Sequence, residues 1–340
     1  MKQLINQKDF LIKYNIEVKD FEKTTLKWAD LQVIFQNYCT EIPKLEASAI
    51  YIFNNLMKTN NVHSVRYRIK HEEHVIEKII RKRINNPAKI ITLENYKTEL
   101  TDLIGLRAIH LFKEDWLSIH DLITTTWDLK EKPVVNYRDG DSVEYLKKFE
   151  ELDCDIKEHE FGYRSIHYIV ESKPAKRTYF AEIQVRTIFE EAWSEIDHTI
   201  RYPYDQDNPL FGRFLLILNR LAGSADEMGT FIKYLKIDLQ QKEDKHLQII
   251  SEKDKLIKEL ESKIKQLKLK APDLQFLTDG LEKLKLSDMS WMDNYKPIEL
   301  SDMSWIDKYK PIELPDMSWL QNLNSTELPK NIIIPKKDNK

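Results

Sequence analysis

The sequence predicts an α+β fold, with helices packed against a sheet, and three observations predict it. Between residues 61 and 204 short apolar runs alternate with charged amphipathic segments, the pattern of helices laid on strands. Three of those runs, Leu106 to Phe112, Ile166 to Val170 and Tyr179 to Val185, are rich in β-branched or aromatic residues and favour strands. On either side the apolar residues take helical spacing instead.

Taken in order, residues 1–60 lack glycine and space Leu31, Ile34 and Phe35, then Ile50, Ile52, Phe53 and Leu56, as helices do; they are expected to form a helical lead-in. Residues 61–204 are the expected catalytic domain. Within it Arg68-Ile-Lys70 leads into a helix whose buried stripe is Val75, Ile76, Ile79 and Ile80, with His74, Lys78, Arg81 and Lys82 elsewhere on its surface. A later helix has Phe189, Ala192, Trp193, Ile196 and Ile200 as its buried stripe, with Glu191, Glu195 and His198 on another face. After Pro203 and Pro209, residues 205–270 read as a helical extension: an apolar helix near 210–235, then a charged one over 236–270. In the second, Ile250, Ile257 and Ile264 recur every seven residues with Leu260 and Leu267 at the other seam position. That seam either forms a homo-oligomeric coiled coil or packs back on the core.

Residues 271–340 form a tail with the repeats Asp288-Met-Ser-Trp291, Asp302-Met-Ser-Trp305 and Asp316-Met-Ser-Trp319, fourteen residues apart. Pro297, Pro311 and Pro315 forbid one continuous helix there. The repeats read as a multivalent docking peptide for an unknown partner, as a regulatory contact, or as a duplicated disordered tail.

Bulk composition narrows the function. At 340 residues, 41% hydrophobic and 32% charged, the chain is large enough for a core with its own pocket. A formal net charge of −3 supplies no overall field for nucleic acid. The two cysteines, Cys39 and Cys154, make no disulfide framework, and without a signal-peptide pattern the expected location is cytoplasmic. Phe214 to Leu218, the most apolar short stretch, is bracketed by arginines and too short for a bilayer.

The chemistry concentrates in a few places. Strand alternation over Tyr179 to Arg186 sends Tyr179, Ala181, Ile183 and Val185 to one face, and Phe180, Glu182, Gln184 and Arg186 to the other. Asp102 stands just before a buried run, either as a helix cap or as a carboxylate at the entrance of a central strand. Arg107, inside that run, demands an anionic partner. Asp102 and Glu182 together would suit Mg²⁺, which takes one or two carboxylates and completes its shell with water and phosphate. With seven glycines there is neither a P-loop nor a Gly-x-Gly-x-x-Gly, so a phosphate must find its cations among Arg68, Lys70 and Lys78. Gly162 permits a tight turn, Tyr163 offers a ring to a base, and Arg164 and His167 follow. His71-Glu-Glu-His74 has the wrong spacing for a zinc motif, and His120-Asp121 is isolated.

Taken in order, Arg68-Ile-Lys70 with Lys78, Asp102-Leu-Ile-Gly-Leu-Arg107, Gly162-Tyr-Arg-Ser-Ile-His167 and Glu182-Ile-Gln-Val-Arg-Thr187 resemble the RelA/SpoT alarmone synthetase family, nearer to its small single-domain members. The resemblance implies a nucleotidyltransferase-like mixed sheet flanked by helices, which moves the β,γ-diphosphate of ATP to GDP or GTP. It implies Asp102 and Glu182 as Mg²⁺ ligands and catalytic groups, Arg68, Lys70, Lys78 and Arg107 on ATP, and Tyr163, Arg164, His167, Gln184, Arg186 and Glu191 around the acceptor. Glu160 and Phe161 stand where the family commonly has Lys and Asn, and Glu191 where it often has Asn or Asp. Two alternatives follow: transfer to the 3′ end of tRNA, or a catalytically inactive nucleotide-binding module.

Overall fold

The structure is a computed structural model that describes residues 4–173, 177–201, 209–266 and 270–286. The lead-in is three helices, α1 Gln7–Lys13, α2 Val18–Lys23 and α3 Trp28–Leu56. The domain proper then runs β1 Ser64–Ile69, α4 Glu72–Asn85, α5 Tyr96–Glu99, β2 Ile104–His110, α6 Trp116–Thr126, β3 Val134–Tyr137, α7 Val143–Glu151, β4 Asp155–Glu158, β5 Ser165–Ser172, β6 Tyr179–Thr187 and α8 Ile188–Arg201. After these come α9 Pro209–Gln266 and α10 Ala271–Leu286. The chain divides into two units, Met1–Asp238 and Leu239–Lys340.

Six strands make one mixed sheet in the order β1-β2-β6-β5-β3-β4. The pairs β2/β6 and β3/β4 are parallel, whereas β1/β2, β5/β6 and β3/β5 are antiparallel. The period of two divides the sheet into an apolar and a polar face. Leu106 and Ala108 of β2, Ile183 and Val185 of β6, and Ile166 and Tyr168 of β5 are buried on the first face, in a cluster with Ile34, Ile52, Val75, Ile79, Trp116 and Ile119 of α3, α4 and α6. Arg68, Arg107, His167, Glu182, Gln184 and Arg186 fall on the other. In register, Arg68 opposes Gly105 and Gly105 opposes Glu182, while Arg107 and His167 both oppose Gln184.

The three expected strands are present with slightly shifted ends, and three more appear. Arginines mark the edge strand β1 (Ser64–Ile69), so it carries no apolar run, and the sequence predicts there only an approach to a helix. The other two, β3 and β4, are four residues each, too short for a periodic signal. Nor are there two helices at 210–235 and 236–270: α9 is continuous over 58 residues, because no proline or glycine interrupts the chain near 236.

A second correction concerns α8. Of its expected buried stripe only Trp193 is buried; Phe189 is 41% exposed, and Ile196 and Ile200 are similarly open. The helix turns its carboxylates toward sheet arginines and is held through Trp193, whose indole donates to Leu215 O at 2.9 Å. Of the expected coiled-coil seam, Ile257 is buried and Leu260 is 46% exposed, while Leu267 and all three Asp-Met-Ser-Trp repeats lie outside the described residues. Among the described residues no helix is long and apolar enough to cross a membrane.

Candidate active site

The first unit builds the site on the polar face of the sheet. Asp102 stands in the turn before β2, where Lys70 at the end of β1 and Lys78 from α4 each donate to its Oδ2 at 2.6 Å. Two local features aim Lys70: its amide donates to Leu103 O at 3.0 Å, and its own carbonyl accepts from Tyr38 of α3 at 2.6 Å. Burial pushes the Asp102 carboxyl up, but the two ammonium groups outweigh it and hold the group at about 2. Its second oxygen, Oδ1, is buried and has no hydrogen-bond partner.

Glu182 lies on β6 across from Gly105. Its Oε2 accepts from Gln184 at 3.3 Å, and its Oε1 is 3.3 Å from His167 Nδ1. Burial raises this carboxyl while His167 more than offsets the effect; Asp102 and Lys78 are near enough to push it in opposite directions. The two carboxylates therefore sense each other across β2, and both are ionised at neutral pH. The orphaned Oδ1 of Asp102, with a second ionised carboxylate near enough to be felt, fits a hard divalent cation such as Mg²⁺. Among the described residues no group of three or more His, Cys, Asp and Glu side chains gathers, so such an ion would draw its remaining ligands from water and substrate.

From Glu182 a polar chain runs outward. The other ring nitrogen of His167, Nε2, is 3.0 Å from the Tyr163 hydroxyl. The Tyr163 ring has the Arg186 guanidinium 5.3 Å from its centroid and the His159 ring at 5.3 Å. The turn that presents it depends on Gly162, whose φ is +75° and where a Cβ would come within 2.9 Å of the Arg138 side chain. Arg186 is 1% exposed; it donates to Gln184 Oε1 at 2.7 Å and its Nε lies 3.0 Å from Glu191 Oε2. The other Glu191 oxygen accepts from Arg107 at 3.0 Å, and Arg107 is also paired with Glu195.

Placed against the expectations, Lys70, Lys78, Asp102, Arg107, Tyr163, His167, Glu182, Gln184, Arg186 and Glu191 come together around one face, with Arg68 lying over Gly105, 3.4 Å from where a Cβ would sit. Arg164 does not join them. The alternation that puts His167 on the polar face turns Arg164 to the opposite one, where it is paired with Asp141 at 2.6 Å and donates to Asn219 at 2.9 Å. His198, expected on the site-facing side of α8, is exposed. The zinc-like residue His71 caps α4, accepting from Glu73 N at 3.3 Å, and His120 is buried against the Tyr168 hydroxyl at 3.1 Å.

One cation escaped the sequence reading. Arg66 is directly opposite Arg107 across the β1/β2 pair and exposed on the same face. Like charges opposed in this way repel; Glu191 and Glu195 relieve Arg107, and Arg66 remains to meet an anion or a base. The signal was the spacing Arg66-x-Arg68-x-Lys70, legible only if the segment is taken as a strand.

Residues 67–207 match the family described as a region found in RelA / SpoT proteins. The GTP pyrophosphokinase YwaC of Bacillus subtilis (strain 168) is 27% identical over 162 residues, 46% of this chain and 66% of that protein. A second, YjbM of the same organism, is 26% identical over 179 residues, 51% of this chain and 72% of that protein. The chain thus spans just under two thirds of the first relative. Among solved structures, small alarmone synthetase 1 from Bacillus subtilis bound to its product pppGpp aligns at 20% identity over 59% of this chain and 98% of its own, with a TM-score of 0.43. A GTP pyrophosphokinase family protein from Streptococcus pneumoniae aligns at 25% identity over 64% and 96%, with a TM-score of 0.40.

Proposed function

We propose that this chain, whose residues 67–207 match the region found in RelA / SpoT proteins, is of the small alarmone synthetase kind, as its GTP pyrophosphokinase relatives suggest, and that it transfers the β,γ-diphosphate of ATP to the ribose 3′-hydroxyl of GDP or GTP. The observation that carries the proposal is the Asp102 carboxylate, gripped through one oxygen by Lys70 and Lys78 and left with its other oxygen buried and unpaired. A structural ion pair gains nothing from an orphaned buried acceptor; a site awaiting a cation does.

In this reading Asp102 and Glu182 would hold Mg²⁺, which when bound would supply charge neutralisation for the phosphates. Lys70 and Lys78 draw in the same phosphates as point charges. Arg107 has its guanidinium edge occupied by Glu191 and Glu195, which leaves the planar face for stacking on a base, with Arg68 beside it. Tyr163 supplies an aromatic ring, steadied by His167 and backed by Arg186, for the acceptor base. Glu182, ionised at neutral pH, accepts the proton of the attacking 3′-hydroxyl. The new bond joins the 3′ oxygen to the β-phosphorus; the bond from that phosphorus to the α-phosphate oxygen breaks, and AMP leaves. Positioning and electrostatics do most of such a reaction.

The test is transfer of label from γ-labelled ATP with Mg²⁺, run in parallel with GDP, GTP and RNA carrying a free 3′ end. Label in a guanosine nucleotide with matching release of AMP is the expected result. Label in RNA overturns the acceptor assignment. Nucleotide-dependent stabilisation without turnover, unchanged by Asp102→Asn, overturns the enzymatic reading in favour of a binding module.

A further inference from the structure

Behind the site, on the apolar side of the sheet end, lies a buried polar cluster that the reaction does not use. Asp226 of α9 has no exposed surface. Its Oδ2 accepts from the Thr187 hydroxyl at 2.8 Å, and its Oδ1 is buried without a partner. Thr187 is the last residue of β6 and the cap of α8: its hydroxyl accepts from Glu190 N at 3.1 Å, and its amide donates to the Glu190 carboxylate at 2.8 Å. That reciprocal pair fixes the first turn of α8, and the next residue is Glu191, which holds Arg107 and Arg186 in the site.

We propose that Asp226 is a positioning residue for the transfer site: through Thr187 it sets the start of α8, and so the placement of Glu191 and Glu195 against Arg107. This inference rests on the nucleotide-transfer reading above. From Asp226 to the first turn of α8 the contacts are buried or half-buried and pass through the short side chain of Thr187; from there Glu191 and Glu195 carry the placement to the arginines. Every packed element contributes a group facing Asp226: Glu190 from α8, Lys113 from the link before α6, Arg164 at the start of β5 and Tyr145 from α7. A cavity of about 30 Å³ lined by His110, Asp141, Tyr145, Arg164 and Glu190 adjoins them, with room for one water.

The protonation state suits a fixed link. Burial pushes the Asp226 carboxyl up, Glu190 adds to it, and Thr187, Lys113 and Arg164 pull the other way, leaving it at about 8. Near neutral pH the group is a neutral acid, with Oδ2 accepting from Thr187 and Oδ1 left for the proton. Above that value Asp226 becomes a buried anion beside the Glu190 side chain that closes the cap, a desolvation cost that the first turn of α8 relieves by moving away.

Two variants test the link. Asp226→Leu removes the acceptor for Thr187, whereas Asp226→Asn keeps an acceptor oxygen and stays neutral at every pH. With the full chain and the unreactive α,β-methylene analogue of ATP, Asp226→Leu is expected to weaken binding about tenfold and to increase amide hydrogen exchange in residues 188–192, and Asp226→Asn to restore both. Wild-type affinity is expected to fall several-fold from about pH 7 to about pH 9 while Asp226→Asn stays more nearly level across that window. Unchanged exchange at 188–192 in Asp226→Leu overturns the proposal, as does an identical pH dependence in wild type and Asp226→Asn. If wild type binds no analogue, the nucleotide reading has failed, and the exchange measurement still decides whether Asp226 orders α8.

Discussion

At the scale of single residues, the site is a balance of charges that one substitution tips. Asp102→Asn removes the negative charge that Lys70 and Lys78 share, and is expected to lower kcat by at least about a hundredfold in the label-transfer assay. The same carboxyl reports on stability. Its folded value is depressed to about 2, so its contribution is fully present above the ordinary carboxylate range and is lost as pH falls from about 4 to about 2, roughly 2 kcal/mol in all. The unfolding free energies of wild type and Asp102→Asn, measured in denaturant across that window, should therefore converge toward its acid end. Arg66 makes a different test. Unlike Arg107 it has, among the described residues, neither burial nor a carboxylate partner, so Arg66→Ala is expected to raise the KM for ATP about three- to tenfold with kcat nearly unchanged, and an unchanged KM would reduce it to an edge-strand charge.

Among the elements, one turn and one strand do the placing. Gly162 occupies the left-handed region with φ +75°, and its carbonyl is held by Asn219 of α9 at 2.8 Å. Gly162→Ala combines a strained backbone with a clash on Arg138, and should cost about 1 to 3 kcal/mol in thermal unfolding while weakening the acceptor before the donor. On β6, Ile183 is fully buried behind the catalytic face, and Ile183→Ala should cost about 2 to 5 kcal/mol in denaturant unfolding. The alternation of β6 was readable in advance because one face of the strand is core and the other is site. By contrast β1 alternates only weakly to the eye: Val65, Tyr67 and Ile69 share its apolar face, but only Val65 is buried at this sheet edge, and the arginines between them blend into the charged segment that follows. In α8 the reading failed for a related reason. An apolar stripe marks the core side of a helix only when the other side meets water, and here the other side meets Arg107 and Arg186.

Across the whole chain, the domain that matches the family does not stand alone. The early part of α9 lies within the first unit and supplies Asn219 to Arg164 and Gly162, Asp226 to Thr187, and Lys233 to Asp115 at 2.6 Å. A chain cut after residue 238 is therefore expected to unfold cooperatively near the wild-type temperature and to keep the proposed transfer activity, whereas one cut after residue 204 should lose both. Equal melting temperatures for the two would show that α9 is dispensable to the domain.

What the sequence by itself determined is the chemistry available and the order in which it is delivered: a lysine and arginine segment, a carboxylate ahead of a buried run, a glycine-tyrosine turn, and a strand with Glu182, Gln184 and Arg186 on one face. Those are local patterns, set by side-chain type and a period of two. Only the tertiary structure decided which of them meet. Parallel pairing of β2 with β6 laid Glu182 beside Gly105, the turn to α4 brought two lysines onto one oxygen of Asp102, and the docking of α9 turned Arg164 and Asp226 into a buried support. Register between distant strands and the burial of charge depend on the whole packed core, and no window of the chain contains them.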